Sequence, residues 1–109
     1  MSNQVTMVDI DTARSWIEKG QAVVVDVREQ HEYDAGHIEG AILRPLSAWD
    51  SDELPAVPEG KHLLLHCRSA NRCGTASQQL IADGYEGPIN RLAGGMLAWQ
   101  AAGAPVTTD

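Results

Sequence analysis

The sequence predicts an α/β fold on a mainly parallel sheet, and three observations carry that prediction. Two runs, Ala22-Val23-Val24-Val25-Asp26-Val27 and His62-Leu63-Leu64-Leu65-His66, are apolar on both faces, as strands buried in a parallel sheet are. Segments with helical spacing and glycine stops lie between the strand-like runs, so strands and helices alternate along the chain. At 109 residues, 43% of them hydrophobic, the chain is long enough for one core, and no repeat or linker divides it. Residues 1–109 therefore read as a single domain.

Taken in order, Gln4 to Val8 forms a short first strand. Asp9 or Asp11 caps a helix through Ala13, Trp16 and Ile17, closed by Lys19-Gly20. The 22–27 run is a central strand, and Arg28 to Ala35 a short helix with Arg28 and Glu32 on one face, an expected structural ion pair. Gly36 to Gly40 is a turn, Ala41-Ile42-Leu43 a third strand, and Arg44-Pro45 ends it. Prolines at 45, 55 and 58 make the segment to Gly60 a helical turn and a surface loop. His62 to His66 is the next strand and Cys73 to Asp83 its helix. Ile89-Asn90-Arg91-Leu92 is the last strand, and Gly94-Gly95 introduces a helix with Met96, Leu97 and Trp99, stopped by Gly103 and Pro105. Right-handed crossovers then gather residues 26–28, Arg44, 67–72 and 93–95 at one sheet edge.

A net charge of −7 argues against nucleic acid or an anionic membrane surface as partner. Met1-Ser2-Asn3-Gln4 lacks the basic start and apolar core of a signal peptide, and no run reaches transmembrane length, so the cytoplasm is the expected compartment. Cys67 and Cys73 are too few and too close for a disulfide framework.

The chemistry points to His66-Cys67-Arg68-Ser69-Ala70-Asn71-Arg72-Cys73-Gly74. A cysteine stands where a strand stops and a helix begins, at the carboxyl edge where open α/β sheets bind ligands. The free N–H groups and partial positive charge of a helix start favour thiolate over thiol, and two loop arginines act the same way. The loop reads as a reactive cysteine in a small anion cradle.

With these residues in view, the chain resembles the rhodanese-like (thiosulfate sulfurtransferase) family in its single-domain form. The matching segments are Val25-Asp26-Val27-Arg28 with Glu32-Tyr33, then Gly36-His37-Ile38-Glu39-Gly40-Ala41, the loop Cys67 to Arg72, and Leu92-Ala93-Gly94-Gly95-Met96-Leu97-Ala98-Trp99. They stand in family order, with a matched core of about residues 5–106. The resemblance implies a five-stranded, mainly parallel sheet flanked by helices on both faces, and a catalytic Cys67 that carries sulfane sulfur as a persulfide. Ala70 stands where many relatives have glycine; a positive φ there costs about 1 kcal/mol.

The ordinary fate of a free cysteine is burial as a small apolar residue, but the position of Cys67 beside two arginines favours reactivity. Its thiolate would attack the outer sulfur of a small anionic donor such as thiosulfate, releasing sulfite. The persulfide would then pass its sulfur to cyanide or a thiol, a protein thiol included. Backbone N–H groups of residues 68–72 would stabilise the charged sulfur. Arg68 is assigned to the incoming anion; Arg72 is either a second anion contact or a brace paired to an acidic neighbour. Ser69, Ala70 and Asn71 shape the turn, with Ser69 also offering a hydrogen bond to substrate. Asp26 accepts hydrogen bonds from neighbouring loops, and Asp26 and Arg28 are supporting residues. Cys73 reads as a small packed residue rather than a resolving thiol. Trp49 and Arg44 follow the third strand and are placed at the pocket mouth.

No cofactor and no metal is called for. His62 and His66, four residues apart on a strand, stand roughly 13 Å apart, too far to share an ion, and His37 satisfies backbone groups in its turn. The rival enzyme is a cysteine phosphatase, whose loop runs His-Cys-five residues-Arg; here Cys73 occupies the arginine position and the arginine comes one residue early. The other rivals are a persulfide relay carrier serving a protein partner and a non-catalytic interaction module on the same fold.

Overall fold

A computed structural model describes residues 4–109; Met1 to Asn3, read above for a leader, lie outside the described residues. The elements run β1 (Val5–Val8), α1 (Ile10–Glu18), β2 (Ala22–Asp26), α2 (Gln30–Ala35), β3 (Ile42–Leu43), 3₁₀ turns at Leu46–Ala48 and Ser51–Glu53, β4 (His62–His66), α3 (Asn71–Ala82), β5 (Ile89–Leu92) and α4 (Gly95–Ala101). The five strands form one parallel sheet in the order β1-β5-β4-β2-β3, the five-stranded α/β architecture expected. β4 takes the centre, with Val24 opposite Leu64 and Asp26 opposite His66.

Strand parity splits the core in two. Val24, Leu64 and Leu92 face one way and pack with Ala13, Met96 and Trp99 from α1 and α4. Val25, Leu63, Leu65 and Ile89 face the other way and pack with Cys73, Ala76 and Leu80 of α3. The both-face apolar character of β2 and β4 is the consequence of this sandwiching. Trp99, 1% exposed, is the largest buried side chain, and its indole N–H donates to the Pro105 carbonyl at 2.7 Å, so its one polar atom stays satisfied.

Local signals set the element ends. The Asp9 carboxylate accepts from the Thr12 N–H at 2.8 Å, capping α1, and Gly20 takes φ +67° after it. α2 begins later than the sequence predicts, because Glu32 reaches back to the Glu29 N–H at 3.1 Å and fixes the start at Gln30. Arg28 is thereby left outside the helix. Among the described residues no helix is long and apolar enough to cross a membrane.

Candidate active site

Leu63, Leu65 and Cys67 alternate onto the α3 side of the sheet, so Cys67 continues a buried row, 1% exposed, just as β4 ends. The chain turns through Arg68 and Ser69 to Ala70, the residue capping α3 at φ 84° and ψ −6°. It is the one non-glycine residue with positive φ among the described residues. This left-handed step folds the loop back over Cys67. The Ala70 N–H donates to Cys67 Sγ at 3.1 Å and the Cys73 N–H at 3.4 Å.

These donors lower the Cys67 thiol to about 5. The Cys73 thiol contributes most; the backbone N–H groups of Cys73, Ser69 and Ala70 add to it, and burial works against them. Cys73 goes the other way: donation toward Cys67 and burial push its thiol well above the ordinary cysteine range. Its sulfur lies 3.1 Å from the Ala70 carbonyl, a second acceptor that shares the one S–H proton with the Cys67 sulfur. One cysteine is thus a stabilised anion in the neutral range and the other a protonated donor beside it. A thiolate ringed by N–H donors at a helix start can act as a nucleophile, and the same donors can hold negative charge on a sulfur bonded to it.

Three neighbouring segments hold the loop. The N–H groups of Met96 and Leu97 donate to the carbonyls of Cys67 and Arg68 at 2.8 and 3.1 Å. This approach needs a glycine at 95, where a Cβ would lie 2.7 Å from the Arg68 carbonyl carbon and oxygen. Arg72 grips Glu32 of α2 with two hydrogen bonds of 2.6 and 2.8 Å. The guanidinium holds the Glu32 carboxyl down to about 2, and the carboxylate in turn raises Arg72. Arg91, at the end of β5, donates from Nη2 to the Ala70 carbonyl at 2.5 Å.

Beneath the loop, Asp26, Arg28 and His66 share the opposite face and are buried, at 0, 5 and 0% exposure. Arg28 binds Asp26 through Nε–Oδ1 at 2.9 Å, Nη2–Oδ2 at 2.7 Å and its backbone N–H at 3.0 Å, and it donates from Nη2 to the Gly36 carbonyl at 2.8 Å. Asp26 accepts hydrogen bonds, but from Arg28 two residues on rather than from the neighbouring loops expected, and the predicted Arg28–Glu32 pair is absent. Arg28 turns to Asp26 because it lies outside α2, and Glu32 is taken by Arg72. His66 Nε2 stands 3.6 Å from Asp26 Oδ2, and neither ring nitrogen has a hydrogen-bond partner. Burial lowers the His66 pKa against the opposing pull of Asp26.

Arg68, Ser69 and Asn71 are exposed on the loop. Arg68 lines a hollow of about 220 Å³ with Arg28, Glu32, Leu97 and Gln100. Trp49 packs against the buried cluster that contains Cys67 and Ala70, and it lines another hollow with Leu46, Thr75, Gln79 and Asp83 along α3. Arg44 turns away to the carbonyls of Glu53 and Leu43. His37 pairs with the Tyr33 carbonyl at 2.9 Å and His62 stacks on Trp16; no group of three or more His, Cys, Asp and Glu among the described residues suits a metal ion.

Arg72 takes the second of its two expected roles, a brace on an acidic neighbour, but neither the contact of Arg91 with the loop nor the identity of that neighbour, Glu32, was among the expectations. Parity on β5, which puts Arg91 with Ile89 toward α3, was the available signal for the first. For the second there was none, since the partners stand 40 residues apart.

Comparison with known proteins agrees with this geometry. The family model for the rhodanese-like domain matches residues 9–102. The chain is 46% identical over 88 residues to an uncharacterized protein of Synechocystis sp., covering 81% of this chain and 48% of that protein. It is 37% identical over 89 residues to an HTH-type transcriptional regulator of Mycobacterium tuberculosis, covering 82% of this chain and 39% of the regulator. The chain thus spans less than half the length of these curated relatives. The crystal structure of a rhodanese-related protein from Thermoplasma volcanium superposes with a TM-score of 0.79 at 25% identity, covering 95% of this chain and 99% of the other. With its parallel five-stranded sheet and its cysteine loop at the strand edge, the chain belongs to the rhodanese-like domain family.

Proposed function

We propose that this domain, residues 1–109 acting as one unit, is a sulfurtransferase that works through a Cys67 persulfide. The observation that carries the reading is the Cys67 sulfur itself, held by the Ala70 and Cys73 N–H groups at 3.1 and 3.4 Å, with its thiol lowered to about 5. The thiolate attacks the outer sulfur of thiosulfate; the new Cys67 S–S bond forms as the donor's S–S bond breaks, and sulfite leaves with the electron pair. Cyanide or a thiolate then attacks the outer persulfide sulfur, and Cys67 leaves as thiolate. No proton need be taken from Cys67 in either step, because it starts and ends ionised. The N–H donors aimed at the sulfur stabilise the charge at both stages. Arg68, exposed on the loop, supplies positive charge for the donor dianion; Ser69 and Asn71 shape the turn, and Asp26 with Arg28 supports it from below. The cytoplasm is the compartment this reading assigns.

One observation favours a protein thiol as acceptor. Leu97, 45% exposed, lines the hollow shared with Arg68, so an apolar contact stands beside the charged one. The phosphatase alternative is disfavoured by the loop, in which the sixth position after Cys67 holds Cys73, buried, with its thiol turned to the Ala70 carbonyl. Thiocyanate formation from thiosulfate and cyanide tests the proposal. Wild type should turn over, Cys67→Ser should not, and Cys73→Ser should keep most activity, since a hydroxyl can still donate. Turnover of a small aryl phosphate without thiocyanate formation would overturn it.

A further inference from the structure

The two sides of Ala70 do different jobs. Its N–H donates to Cys67 Sγ at 3.1 Å. Its carbonyl accepts from Arg91 Nη2 at 2.5 Å and from the Cys73 thiol at 3.1 Å. Arg91 Nε also points at Cys73 Sγ, 3.5 Å away. The guanidinium is therefore bonded into the loop from behind, through both residues that supply the N–H groups on Cys67. Two features bring it there. Arg91 pairs with Leu65 in the sheet and shares its face, the side on which α3 lies. Gly74, in the first turn of α3, leaves the space open: a Cβ there would lie 2.8 Å from Arg91 Nη2 and 3.1 Å from Cζ.

The need for such a clamp follows from the backbone. An alanine at φ 84° prefers to relax out of the left-handed region. Relaxation would rotate the flanking peptides and swing the Ala70 N–H off the sulfur. A charge-assisted hydrogen bond to the carbonyl on the other side of the same Cα opposes that rotation.

We propose that Arg91 is a positioning residue of the Cys67 loop, clamping the Ala70 carbonyl so that the Ala70 N–H stays aimed at the Cys67 sulfur, and that Gly74 is the gap that admits it. The inference deepens the reading of Cys67 as the reacting thiolate and rests on it. Its test needs no sulfur donor.

The experiment is the rate of Cys67 alkylation by iodoacetamide against pH, in a Cys73→Ser background, with a melting curve for each variant. Arg91→Met should move the pH midpoint up by roughly one unit, a tenfold loss of thiolate below it. Gly74→Ala should move it the same way by displacing the guanidinium, while melting no earlier, since alanine is the better helix former. Ala70→Gly placed on Arg91→Met should bring the midpoint back toward wild type, because glycine holds positive φ without a clamp. If Arg91→Met does not fold, Gly74→Ala carries the test alone. Unmoved midpoints in the folded variants, whatever their melting temperatures, overturn the proposal, and so does failure of Ala70→Gly to restore the midpoint. Shifted midpoints in a protein that forms no thiocyanate would uphold the clamp and sink the sulfurtransferase reading; thiocyanate formation with unmoved midpoints would do the reverse.

Discussion

Arg72 and Glu32, 40 residues apart, are joined by two hydrogen bonds of 2.6 and 2.8 Å that tie the first turn of α3 to α2. Arg68, four residues earlier in the same loop, is exposed and lines the hollow at its edge. The two arginines are thus placed for different tasks. Arg68→Ala should raise KM for thiosulfate and spare kcat, the signature of lost uniform binding, and the defect should shrink as salt screens the exposed charge. Arg72→Ala should lower kcat and the melting temperature, because a loosened loop misaims its N–H groups. Steady-state kinetics at two salt concentrations, with melting curves, separate the pair; an exchange of the two phenotypes would contradict the assignment.

The same ion pair sets a pH dependence. Arg72 holds the folded Glu32 carboxyl at about 2, against 4.5 unperturbed. A carboxyl lowered on folding contributes stability that is fully present above the unfolded value and is lost as pH falls toward the folded one. The stability gap between wild type and Glu32→Gln should therefore be widest above pH 4.5 and narrow steadily toward pH 2. Urea unfolding at pH 7, 4 and 3 measures it; a gap independent of pH would mean that the pair contributes nothing through charge.

His66 should act in a window nearer neutrality, still on the acid side. Burial lowers its pKa below the ordinary 6.5, so below that pH the unfolded chain binds a proton the folded one resists, and stability falls with pH. The slope from one such group is at most about 1.4 kcal/mol per pH unit. His66→Leu should flatten the wild-type stability profile between pH 6.5 and 5. Equal slopes in the two proteins would show that Asp26 offsets the burial.

Gly95 is the point where two loops touch. A Cβ there meets the Arg68 carbonyl at 2.7 Å, and backbone cannot yield as a flexible side chain would. Gly95→Ala should push α4 off the loop, break the Met96 and Leu97 N–H bonds to it, and lower thiocyanate formation at least tenfold (about 1.4 kcal/mol). Near-wild-type kinetics in a folded variant would show that α4 does not hold the Cys67 loop in shape.

What the sequence made legible divides along physical lines. The alternation of apolar runs and helical stretches gave all five strands, because burial on both faces of β2 and β4 leaves little choice of residue. Cys67 was legible because its neighbours in sequence are also its neighbours in space; a positive φ at Ala70 was raised only by the resemblance, through the glycine that many relatives carry there. Side-chain partners were not. Arg28 and Glu32 have the spacing of a helical pair, but the Glu32 contact to the Glu29 N–H starts α2 after Arg28, and the buried Asp26 claims its guanidinium. Strand parity on β5 turns Arg91 toward α3, but that it reaches the Ala70 carbonyl is set by the packing of β5 beside α3.

The central claim is that Cys67 takes up one sulfur atom from a donor and gives it back. Intact-protein mass spectrometry after mixing with thiosulfate tests this directly, because it sees the intermediate without any coupled acceptor. Wild type should gain the mass of one sulfur and lose it on adding cyanide, Cys73→Ser should behave likewise, and Cys67→Ser should gain nothing. A wild-type protein that stays unloaded under these conditions, or a Cys67→Ser variant that still loads, would contradict the account.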